Sequence, residues 1–77
     1  MQIECYLEEY ESSNIKMFNW WLGFLDVQFR QNDAKYRYEN VPMNIMLEMI
    51  QAESKGKYFV ANVKGKYEYQ KLEYADD

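Results

Sequence analysis

Between Leu25 and Tyr38 the chain alternates with a period of two. Leu25, Val27 and Phe29 are separated by Asp26, Gln28 and Arg30, and Tyr36 and Tyr38 by Lys35, Arg37 and Glu39. Successive side chains of a strand point to opposite faces, so each run reads as a half-buried strand. Gln31-Asn32-Asp33 between them is turn chemistry, because Asn and Asp tolerate left-handed backbone. The two runs make an antiparallel hairpin. Gly23, between Ile15–Trp20 and Leu25–Phe29, predicts a second turn, so three antiparallel strands form a meander. Ile3, Cys5 and Leu7 alternate with Gln2, Glu4 and Tyr6, a further short strand candidate. Ser12, Ser13 and Asn14 follow as turn formers.

Pro42 prefers the first turn of a helix, and Met43 to Glu53 holds strong helix formers with no internal breaker. Gly56 stands just beyond, where it predicts a stop. At 100° per residue, Met43, Met46, Leu47 and Ile50 share a face, and Ile45, Met49 and Ala52 widen the apolar arc past half the circumference. Only Asn44, Glu48 and Gln51 form a polar stripe. An ordinary surface helix has a narrower apolar band, so this one is expected to be covered on two sides, by its own sheet and by a second element or subunit. Lys57–Val63 fits a short helix or a strand equally. Lys66–Leu72 alternates Tyr67 and Tyr69 against Glu68 and Gln70 and reads as a strand. The expected fold is therefore α+β: a small antiparallel meander packed on one main helix, about 42–54. A short second helix at about 57–63 and a C-terminal strand complete the expectation, with an acidic tail over 73–77.

A chain of 77 residues buries only about 60–65% of the surface its unfolded form exposes. Small domains compensate with disulfides, metals, dense packing or self-association. Cys5 is the single cysteine and there is no histidine, which excludes an internal disulfide and imidazole-based metal sites. The same absence removes the Ser/His/Asp triad and the Cys/His dyad. Thirteen acidic residues contain no Asp-x-Asp-x-Asp-Gly calcium loop, and a two-carboxylate mechanism needs a cleft that so short a chain rarely forms. Neither catalysis nor a metal or other cofactor is expected. What remains is aromatic packing, with eight Tyr, four Phe and two Trp, together with homo-oligomerisation. Cys5 reads as a small core hydrophobe, with no base beside it in sequence to activate the thiol.

The net charge of −4 repels nucleic acid on average, but the charge is uneven. Glu4, Glu8, Glu9 and Glu11 crowd the first eleven residues. Lys55, Lys57, Lys64, Lys66 and Lys71 crowd residues 54–71 against Glu68 alone. Solvated charge runs are the plain explanation, and an acidic end with a basic patch is the functional one. No apolar run is long enough to span a membrane, and Met1–Tyr10 lacks the apolar stretch of a signal peptide. A cytoplasmic location is expected.

From Ser12 to Leu72 the chain resembles the KTSC domain. The residues that carry the likeness are Ser12-Ser13-Asn14-Ile15, Leu25-Asp26-Val27-Gln28-Phe29, Tyr36-Arg37-Tyr38 and Val41-Pro42, then Ala52-Glu53-Ser54-Lys55-Gly56, Tyr58-Phe59 and Lys64-Gly65-Lys66-Tyr67-Glu68-Tyr69. The resemblance divides the chain into an acidic extension (1–11), a KTSC-like domain (12–72) and the tail. It implies a small α+β domain of unknown function. The family takes its name from the C-terminus of some lysyl-tRNA synthetases and also occurs as free-standing bacterial and phage proteins; RNA binding is the suggested activity. The chain departs from the family pattern at Asn19-Trp20-Trp21-Leu22-Gly23-Phe24, at Val60, and at Asn32-Asp33 in place of hairpin glycines.

Three groups of residues are candidate sites. Trp20, Trp21, Leu22 and Phe24 cannot all enter one core, and exposed aromatic patches mark interfaces. With Met46 and Met49 of the apolar helix they are the expected oligomer or partner surface. Tyr36, Arg37 and Tyr38 form a stacking candidate for bases, although the tyrosines and the cation alternate faces. Lys55-Gly56-Lys57 and Lys64-Gly65-Lys66 read as two similar turns that place backbone amides between ammonium groups, a phosphate cradle in miniature. The leading expectation is a non-enzymatic module that binds RNA, a nucleotide or another phosphate-bearing ligand. The alternative is a phage-type anti-defence inhibitor that contacts a host protein through residues 1–11 and the Trp-rich turn. A structural homo-oligomer without a ligand is the third.

Overall fold

The computed structural model describes residues 2–72. The acidic tail expected over 73–77 lies outside them. Five strands and two helices follow in the order β1 (Gln2–Tyr6), β2 (Ile15–Trp21), β3 (Phe24–Phe29), β4 (Lys35–Tyr38), α1 (Met43–Gln51), α2 (Lys55–Asn62) and β5 (Tyr69–Leu72). The strands form one antiparallel sheet in the order β1-β2-β3-β4-β5. The expected meander is present and extended by a strand at each edge. Acidic residues 1–11 are thus more than an appendage: they contribute β1, and Leu7 after it is buried in the core. Cys5 is half-buried against that core, and burial pushes its thiol pKa up.

Register explains the two sheet faces. Trp20 pairs with Leu25 and Leu25 with Tyr38; Phe18 pairs with Val27 and Val27 with Tyr36. These residues face the helices and enclose, with Met46 and Met49 of α1, Phe59 of α2 and Val63, a single core. The other face carries a polar row, Glu4, Asn19, Asp26, Arg37 and Gln70, in register across all five strands. At its centre Arg37 donates two bonds to Asp26, of 2.8 and 2.9 Å, and its guanidinium lies 5.3 Å from the Phe24 ring centre. The hydrogen bonding of its guanidinium to the Asp26 carboxylate holds the Arg37 pKa above its ordinary value.

The β2–β3 turn is Leu22-Gly23, both with positive φ (52° and 88°), the paired left-handed geometry that matches strand twist. Gly23 O accepts from Val41 N–H at 2.8 Å, and Val41 O accepts from the Trp20 indole at 2.9 Å. Those two bonds clip the turn to the segment before α1 and set where the helix starts.

Several expectations are corrected. The main helix ends at Gln51, not about residue 54, because Ala52 is extended (φ −69°, ψ 142°). Gly56 is no stop: it sits in the first turn of α2, which Ser54 caps by accepting from Lys57 N–H. The segment expected as helix or strand over Lys57–Val63 is helix as far as Asn62, with Val63 its C-cap, and Lys55-Gly56-Lys57 is helical, not a turn. The C-terminal strand starts at Tyr69, not Lys66. Met46 and Met49 have no exposed surface, so they are core of the monomer and unavailable to a partner. Trp20 is likewise buried. No helix among the described residues is long and apolar enough to cross a membrane.

Candidate ligand-binding site

Antiparallel pairing of β2 and β3 sets Ile15 opposite Phe29. The polar loop before β2 and the polar turn after β3 must therefore meet at one end of the sheet. Arg30 locks them together. Its backbone N–H donates to Asn14 O at 2.8 Å, and its Nη2 donates to the carbonyls of Leu7, Ser12 and Ile15 at 3.0–3.1 Å. Ser12 adds a relay: Ile15 N–H donates to Ser12 Oγ at 2.8 Å, and that hydroxyl donates to Asn14 Oδ1 at 2.7 Å. Across the hairpin, Asn32 Oδ1 accepts from Ala34 N–H at 3.1 Å, which fixes the turn around left-handed Asp33.

Beside these loops lies a cavity of about 430 Å³. Phe29, Tyr36, Tyr38 and Tyr69 make its wall, Ser13, Asn14, Gln31 and Asn32 its polar rim, and Lys64 its cation. The wall is a packed cluster. Tyr36 lies 5.6 Å from both Phe29 and Tyr69 by ring centres, and Tyr38 lies 5.3 Å from Tyr69. Phe59 backs it from α2, meeting Tyr38 and Phe29 edge to face. Burial raises the Tyr38 pKa, so this ring stays a neutral phenol. A second cavity, about 370 Å³, shares Ser13 and Asn14 with the first and borders Ser12, Ser54, Gly56, Lys57, Val60 and Ala61.

The structure separates residues that looked alike in sequence. Tyr36, Tyr38 and Lys64 come together on the first cavity. Arg37 does not join them; it lies on the opposite sheet face, bound to Asp26. Lys55 lies against Glu11 (3.4 Å) and donates to Ala52 O, so it is committed to joining α2 to the β1–β2 loop. The hydrogen bond from Glu8 N–H, then that from Lys55, holds the Glu11 pKa below its ordinary value. Gly56 and Lys57 belong to the second cavity, while Gly65, at φ 81°, lets the chain leave α2. Lys66 lines neither. On the far corner, Trp21 is 47% exposed, Leu22 65% exposed and Phe24 half-buried.

Asn14, Gln31, Asn32, Phe29 and Tyr69 were not singled out as ligand contacts. The signal was present in two turn-forming stretches, Ser12–Asn14 and Gln31–Asp33, that flank paired strands on the same side.

A Cβ on Gly56 would stand 2.5 Å from Ser12 Oγ and 2.6 Å from Asn14 Oδ1, both held by the relay. Gly56→Ala recovers about 0.5–1 kcal/mol of helix propensity but overpacks this contact at a cost of about 1–3 kcal/mol. We expect a net loss of stability and a displaced Asn14. A melting temperature equal to or above that of the parent would contradict the close approach.

The KTSC domain family model matches residues 11–67. This chain belongs to the KTSC domain family. Among solved structures, the crystal structure of a KTSC domain protein from Yersinia pestis superimposes with a TM-score of 0.81. It is 27% identical and the match covers 95% of this chain and all of that one. A comparison with curated proteins finds no match. The family match takes in both cavities except Tyr69, which belongs to edge strand β5. The KTSC core thus supplies the loops, the cation and most of the aromatic wall.

Proposed function

We propose that this KTSC domain is a non-enzymatic binding module for a phosphate-bearing ligand, RNA or a nucleotide. One observation carries the reading: a four-ring aromatic wall meets an amide-rich rim and an ammonium group in one cavity. The rings offer flat apolar area to a base, the amides offer directional hydrogen bonds, and Lys64 offers charge to a phosphate. A thermal-shift screen with nucleotides and short RNA tests it, since a ligand that binds only the folded state raises the melting temperature. At least one such compound should do so, and Lys64→Ala should weaken it about tenfold or more while Lys66→Ala does not. A screen with no shift across nucleotides and RNA removes the assignment.

A second reading is favoured by a separate observation. Leu22 is held exposed in a left-handed conformation where Gly or Asn is the ordinary residue, next to exposed Trp21. This corner fits the inhibitor of a host protein, with β1 beside it: Gln2 pairs with Trp21, Glu4 is the strand's one acid, and Glu8, Glu9 and Glu11 follow its far end. In that case a partner would be lost on changing Trp21 and Leu22 to Ala together and kept on changing Lys64.

A further inference from the structure

We infer that the cavity takes a single nucleotide, with its base against the Tyr36–Tyr69 wall and its phosphate on Lys64 and the side-chain amides of Asn14 and Asn32. The inference rests on the ligand-binding reading above and narrows it.

The polar rim decides the sign of the ligand. Asn14 Oδ1 is occupied by the Ser12 hydroxyl at 2.7 Å, and Asn32 Oδ1 by the Ala34 N–H at 3.1 Å. In both amides the oxygen already accepts a bond inside the protein, while among the described residues both N–H donors of the NH₂ group remain for a ligand. Lys64 has donors only, and among the described residues it forms no ion pair. Such a rim complements an acceptor-rich anion and leaves a cationic ligand uncompensated. Gln31 keeps both a donor and an acceptor for the edge of a base.

The wall decides how a flat ligand enters. Tyr36 meets Phe29 at 76° and Tyr69 at 59°, with ring centres 5.6 Å apart in each pair. Rings in mutual contact at these angles leave no slot, so a base lies on the outer face of the wall instead of between two rings. Tyr69, 58% exposed on edge strand β5, is the accessible ring. At about 430 Å³ the cavity falls in the ordinary range for small-molecule sites, about 300–1,000 Å³.

Charge decides between a nucleotide and a strand. A polymer needs cations that track successive phosphates. Among the described residues Lys64 is the one cation that lines this cavity; Lys71, paired with Tyr36 on the same sheet face, stands outside the lining. Lys55 is held by Glu11, Lys57 borders the neighbouring cavity, and Arg37 and Lys35 lie on the opposite sheet face. With a net charge of −4, the rest of the protein repels a polyanion.

Calorimetric titration of the full chain with the four ribonucleoside monophosphates, their nucleosides and an eight-nucleotide RNA tests this. We expect at least one monophosphate to bind one to one, at least tenfold tighter than its nucleoside. Its salt dependence should be shallow, because a mononucleotide carries no condensed counterions to release. Lys64→Ala should abolish the advantage of the phosphate. Asn32→Asp keeps the acceptor for Ala34 but puts a carboxylate in the rim, and should cost about tenfold or more. Tyr69→Ala should weaken nucleotide and nucleoside alike, roughly five- to hundredfold. RNA that binds tighter than every monophosphate, with a steep salt dependence, overturns the single-nucleotide inference and leaves the ligand-binding reading standing. Monophosphate binding that is indifferent to all three substitutions overturns the site. Binding of neither nucleotides nor RNA overturns both readings.

Discussion

Trp20→Ala should destabilise the protein by about 3–5 kcal/mol, while Trp21→Ala should change stability by no more than about 0.5 kcal/mol. The two residues are adjacent and chemically identical, yet they point to opposite faces of β2. Trp20 is 6% exposed, packs in the core and donates its indole N–H to Val41 O at 2.9 Å. Its removal leaves a cavity, orphans that carbonyl and releases the clip that positions α1. Trp21, 47% exposed, pairs with Gln2 and Phe24 on the uncovered face and leaves no void behind. Domains have roughly 0.05–0.15 kcal/mol of stability per residue, so the Trp20 change removes a large share of what a chain this size has. At about 4–8 °C per kcal/mol for a 60–100-residue domain, its melting temperature should fall by more than about 12 °C. Equal melting temperatures for the two variants would show that the strand does not divide them as described.

The second large effect is expected at Phe59. It is fully buried and touches the sheet aromatics through Phe29 (6.0 Å, 70°) and Tyr38 (5.3 Å, 83°). Edge-to-face pairs of this kind add about 0.5–1.5 kcal/mol each beyond the area they bury. Phe59→Ala should therefore cost about 3–5 kcal/mol, and Phe59→Leu, which keeps most of the volume, clearly less. Urea denaturation measures both, and the near-ultraviolet circular dichroism of the tyrosines reports the wall separately. The predicted result is a lower urea midpoint for both variants and a weakened tyrosine signal in the Leu variant, which remains folded. An unaltered tyrosine signal in Phe59→Leu would mean that α2 does not brace the wall.

The helix pairing has its own tie. Tyr58 on α2 donates its hydroxyl to Glu48 on α1, and burial followed by that bond pushes the Tyr58 pKa up to about 12. Its phenol thus stays protonated and remains a donor across the ordinary pH range. The two residues stand ten apart on separate helices, so the spacing within either segment does not reveal the bond.

What the sequence determined by itself is local. Period-two alternation at 25–29 and 36–38, the Asn-Asp turn, Gly23 and the helical run after Pro42 each depend on residues a few positions apart, where backbone sterics and side-chain direction act directly. The strand and helix types there were legible for that reason, and so was the division of Tyr36 and Tyr38 from Arg37. The boundaries of the second half were not. Gly56 reads as a helix stop among its neighbours, and only its approach to Ser12 and Asn14, far away in sequence, shows why a residue without Cβ stands inside α2. Five lysines of one cluster read alike, and tertiary contacts alone decided that Lys55 is committed to Glu11, that Lys57 borders the second cavity and that Lys64 lines the first. A cavity is set by register and by packing between distant segments. Its rim of Asn14 and Asn32 exists because Ile15 pairs with Phe29, and that distance between residues is closed only by folding.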